Sequence, residues 1–155
     1  MRLQFLCPQH REALSSRPAT AADFWRESQE RLRETDIEAT PGRVSLAGSA
    51  LEAAGIYLNA CGRCQSEDIE RYTDTALSLI DLLAQLQQRR LALVVVAGAN
   101  AMVEQLAQWG GDKMAAVEAS RRLTQEGMHR VEPLWGLKVT PGRFTATTPT
   151  PVAIH

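Results

Sequence analysis

The sequence predicts an all-α fold of five or six helices arranged as antiparallel hairpins, in an array or bundle. Three observations carry this. Apolar residues recur at helical spacing through most of the chain. Ala, Leu, Gln, Glu and Arg are abundant while aromatics make up only 5 %, a balance that favours helix over sheet. Pro, Gly and Asp punctuate the periodic runs where helices should stop and start.

In chain order, "MRLQFL" is a short apolar lead-in, either strand-like or an anchor on the core. Pro8 then suits the first turn of a short helix. A longer helix begins near Thr20 or Ala21, with Ala21, Phe24, Trp25, Ser28 and Leu32 on one face. "EATPGR" breaks it. The next helix runs from Pro41 or Gly42 to about Asn59, striped by Val44, Ala47, Leu51, Ala54 and Leu58 and widened by Ala50 and Tyr57. Gly62 is its expected stop. Ser66 is the expected N-cap of a fourth helix, with Glu67 and Asp68 in its first turn and a seam of Ile69, Tyr72, Ala76, Ile80, Leu83 and Leu86.

"LALVVVAGANAMVEQLAQWGG" fits both a helix and a buried strand entering a Gly turn. A strand of that kind needs parallel neighbours, which the rest of the chain does not supply, so helix is the reading. Its expected seam is Leu91, Val94, Val95, Gly98, Met102, Leu106 and Trp109. A last helix runs from Asp112 to about Gln125, carries Met114, Ala115, Val117, Ala119 and Leu123, and stops near Gly127. The expected division is a helical domain over 1–130 and a Pro/Thr-rich, partly ordered tail over 131–155.

Helix starts near 21, 67 and 112 are about 45 residues apart, within the range of helical-hairpin repeats. Over about 20–126 the pattern resembles the tetratricopeptide-like class of stacked hairpins in architecture, although Trp25 and the Ala47, Leu51, Ala54 series do not reproduce that family's consensus. The resemblance implies a surface that holds a protein or peptide partner.

Chemistry concentrates in the cysteines. "CPQH" places Cys7 and His10 at C-x2-H spacing, and "CGRC" places Cys61 and Cys64 at C-x2-C. Two such knuckles can supply a tetrahedral Cys3His set, so the expectation is a structural Zn2+ clamp formed by Cys7, His10, Cys61 and Cys64. Four protein ligands would leave no place for a reacting water. One alternative is three core cysteines and a surface histidine. Another is a thiol redox pair or sensor at Cys61 and Cys64, which lacks a thioredoxin-type strand–helix context. His129 and His155 have no Cys neighbour, and no catalytic constellation is visible.

A net charge of −1 disfavours nucleic acid, a reading that would revive only if Arg89, Arg90, Arg121, Arg122 and Arg130 shared one face. No apolar run approaches the length of a bilayer span, and "MRLQFLCPQH" is too short in its apolar part for a signal peptide. Three cysteines with no disulfide framework suit a reducing, cytoplasmic, bacterial-type setting. In the tail, Leu134 and Trp135, with Leu137 and Val139, either dock on the last helix or anchor a partner. The functional expectation is a non-enzymatic adaptor or regulator, with oligomeric state open.

Overall fold

Proline opens three of the helices. In the computed structural model, which describes residues 3–34 and 38–132, α1 spans Pro8–Ser16, α2 Pro18–Glu34, α3 Pro41–Ala60, α4 Ser66–Gln85, α5 Arg89–Gln108 and α6 Lys113–Val131. Proline costs nothing at these positions, because its missing N–H would have had no intrahelical partner. Side chains take up other orphan donors. The Cys7 thiol accepts from His10 N, Thr40 Oγ1 from Arg43 N, and Asp112 Oδ1 from the amides of Met114 and Ala115. The described residues are helical with no strand, so the 91–100 stretch is helix.

Helix α4 is the centre of the molecule. It packs on α3, α5 and α6, while α2 lies along α3 and α6 along α5. Eleven of its residues are buried, among them Leu77, Leu79 and Leu82, which lie off the single seam read from the sequence. A helix with neighbours on three sides has no one apolar stripe. Its link to α2 is polar. Trp25 Nε1 and Gln29 Nε2 both donate to Thr75 Oγ1, at 2.9 and 2.8 Å, while that hydroxyl donates to Arg71 O at 2.8 Å.

Several boundaries differ from the expected ones. The N-cap of α4 is Gln65 rather than Ser66, which is the first helical residue. Helix α6 continues through Gly127 to Val131, because Gly127 is a packing contact and no stop. A Cβ there would lie 3.0 Å from Val96 Cγ2 and 3.5 Å from Ile80 Cδ1, so the missing side chain lets α6 sit close on α4 and α5. Gln87, with φ of +58°, takes the left-handed position that closes α4, where glycine is the usual residue.

Helix α5 meets the others differently from its expected seam. Ala92, Val95, Val96, Ala99, Val103 and Leu106 are the buried set, facing α4 and α6. Leu91, Val94 and Met102 are half-buried, whereas Gly98 and Trp109 are exposed. By length and composition α5 could cross a bilayer, yet here it packs within the helical bundle with 33 % of its apolar stretch buried. Both of its faces are apolar, and only one is covered. Met114 and Val117 of α6 also turn outward, at 78 % and 66 % exposure.

Candidate functional site: a groove between α3 and α5

Helices α3 and α5 both rest on α4 but scarcely touch each other. The gap is a half-open groove of about 540 Å³, within the usual ~300–1,000 Å³ of ligand sites. Leu51, Gly55 and Ile56 line the α3 wall; Val94, Gly98 and Met102 line the α5 wall; Tyr72 and Leu79 of α4 make the floor. Both walls are low where glycines stand. A Cβ built on Gly55 or Gly98 meets nothing within 4 Å.

One end of the groove is occupied by the chain itself. Residues 3–6 form a non-helical strap whose Phe5 ring lies directly over Gly48, so close that a Cβ at that glycine would collide with it. The strap is held by one carboxylate. Glu52 accepts from Phe5 N at 2.8 Å, from Leu6 N at 3.1 Å and from Arg11 Nη2 at 3.1 Å, and Arg11 Nη2 also donates to Leu6 O at 3.0 Å. With 18 % of the Glu52 side chain exposed, these bonds are partly shielded from water and the arrangement is a latch rather than a loose surface pair. The lead-in is thus the anchor on the core, one of its two expected forms.

Tyr72 is the unusual member. It is 5 % exposed and lines the groove, and its hydroxyl makes no hydrogen bond among the described residues. Burial pushes its phenol up, so it stays a neutral donor and acceptor at physiological pH. The oxygen itself is open to the groove, so it offers a free polar contact on the groove floor.

The cysteines are arranged as two separate pairs. Cys7 Sγ lies 3.0 Å from His10 Nδ1 at the exposed start of α1. Cys61 caps the end of α3, and Cys64 is buried beside it with Sγ 3.5 Å from Leu58 O. Tyr57 shares a hydrogen bond with Cys61 and, with burial adding to it, is pushed up to about 12. Burial, reinforced by the charges of Cys61 and Asp68, pushes the Cys64 thiol up to about 11.

No group of three or more His, Cys, Asp or Glu side chains gathers among the described residues as a metal centre would need. Glu52 fixes the strap that leads into α1, and Cys61 stands nine residues further along the chain from Glu52. Cys7 with His10 and Cys61 with Cys64 stand as two pairs, and the four-ligand Zn2+ clamp expected from their spacing is not shown among the described residues.

Asn100, on α5, is a bundle contact. It accepts from Ser120 Oγ at 2.8 Å and donates to Val96 O at 3.1 Å. Arg121 pairs with Glu118, Arg122 with Asp74 and Glu126, and Arg130 with Leu77 O and Glu126, so these cations sit among acids and carbonyls. Leu134, Trp135, Leu137 and Val139 lie outside the described residues, as does His155. The groove itself was not legible in the sequence. Its one available signal was a second apolar face on α5, beyond what a single neighbour could cover.

No family model, curated protein or solved structure matches the chain.

Proposed function

We propose that the protein is a non-enzymatic binding module that holds a protein or peptide partner in the groove between α3 and α5. The observation that carries this is the hydroxyl of buried Tyr72, without a hydrogen-bond partner among the described residues, on the floor of a groove whose walls are apolar side chains and helix backbone, with Arg11 and Glu52 at the strap end and Asn59 at the other. Ligand sites commonly combine an apolar surface with a few fixed polar groups. The stacked hairpins suit such a role, in keeping with the tetratricopeptide-like resemblance. A cytoplasmic setting belongs to the same proposal and rests on three free thiols.

The rival, a thiol redox protein using Cys61 and Cys64, draws on their proximity but is opposed by the raised Cys64 pKa. A thiol protonated at neutral pH is a poor nucleophile. Quantitative affinity capture tests the proposal, with the intact chain and its Gly98→Leu variant compared side by side. Leucine at this open position fills the groove without disturbing the bundle. A partner retained by the first and lost by the second supports the reading; equal retention by both contradicts it.

A further inference from the structure

The strap shows what kind of chain the groove accepts. Leu3, Gln4 and Phe5, successive residues of a non-helical segment, line the groove, and Phe5 lies on Gly48. Beyond the strap the same trough continues past Gly55 toward Asn59. From Glu52, where the strap is latched, to Asn59 the α3 wall runs about 10 Å, enough for about three residues of extended chain at ~3.3 Å each. Helices α3 and α5 still touch at a few points, so the trough is narrow and suits an extended chain better than a helix some 10 Å across. The bare flanks at Gly55 and Gly98 allow a peptide main chain to approach closely.

From these features we infer that the groove binds an extended partner segment with large apolar residues at alternate positions, laid end to end with the strap, its main chain hydrogen-bonded to the Tyr72 hydroxyl. This rests on the partner-binding reading of the groove and narrows it to one kind of occupant. Alternation follows from the geometry of an extended chain, whose successive side chains point to opposite sides. One row enters the trough and the other faces solvent. The phenol can donate to a peptide carbonyl or accept from an amide, which gives an otherwise greasy slot a preferred register. A simple hydrocarbon would fill the volume but leave that hydroxyl unsatisfied.

The test uses random heptapeptides displayed on phage and selected against the full chain. The enriched sequence is then synthesised with a fluorescent label as the probe. The expected result is aromatic or branched apolar residues at every second position, binding weakened about tenfold in Tyr72→Phe, and no saturable binding in Gly98→Leu. Circular dichroism of both variants confirms the fold. Enriched sequences with apolar residues three and four apart, competing at Gly98, would overturn the extended mode while leaving the groove as a partner site. Peptides insensitive to Gly98→Leu would overturn both, as would saturable dodecanol binding with no peptide enriched.

Discussion

Phe5 rests on Gly48 so closely that a single methyl group at position 48 would collide with its ring. The contact joins residues 43 positions apart and seats the strap at the end of the groove. Gly48→Ala gains helix propensity, about 1 kcal/mol, but must displace the ring, and overpacking typically costs ~1–3 kcal/mol. Urea denaturation should show net destabilisation. In Phe5→Ala the same glycine change should become stabilising, giving a clear coupling energy in the double-mutant cycle.

Glu52 holds two strap amides and one guanidinium. Glu52→Gln keeps the shape and removes the charge, so the donors lose their strong acceptor at a cost of about 1–2 kcal/mol. Hydrogen exchange should then speed at Phe5 and Leu6, while Ile80 and Leu83 in the core of α4 stay protected.

Thr75 is the shared acceptor for Trp25 and Gln29. Thr75→Val preserves volume but leaves a buried indole N–H with nothing to bond, which should cost about 1–3 kcal/mol in urea. Trp25→Phe should cost less in the Thr75→Val background than in the native chain, because the orphaned N–H leaves with the indole.

The thiol pair predicts a direction with pH. Cys64 is raised from 9.0 to about 11 and Tyr57 from 10.0 to about 12, so folding favours their protonated forms. Their contribution is full below pH 9 and is lost as pH rises through about 11 to 12. Thermal stability should fall across that window. At pH of about 7.5 a thiol reagent should modify exposed Cys7 first and Cys64 last.

The absence of any group of three metal-binding side chains among the described residues also predicts how the protein answers a chelator. With no shared four-ligand site, a strong zinc chelator should leave the melting temperature unchanged. A drop of many degrees would mean that Cys7, His10, Cys61 and Cys64 converge on one ion after all.

Helix existence was readable because apolar residues recur every three or four positions, and α2 shows it best, with Ala21, Trp25 and Ser28 buried as expected. The partition of α5 was not readable. Leu91, Val94, Gly98 and Met102 are as well spaced as Ala92, Val96, Ala99 and Val103, and only the packing of α4 and α6 chooses between the two rows. Gly127 misled for a related reason: glycine marks a helix end or a close helix contact, and tertiary neighbours decide which. Spacing found each cysteine pair but not the latch that seats the strap before Cys7, because Glu52 has no motif around it. The groove belongs to three helices at once, so no local pattern could reveal it.

Photo-cross-linking in cells tests the central claim most directly. Benzoylphenylalanine is placed at Met102 on the groove wall and, as control, at Glu27 on the exposed face of α2, and cross-linked peptides are identified by mass spectrometry. The predicted result is a partner segment captured at 102 and not at 27, and lost when Gly98→Leu fills the groove. Capture that is equal at the two positions, or unaffected by Gly98→Leu, would contradict partner binding in the groove.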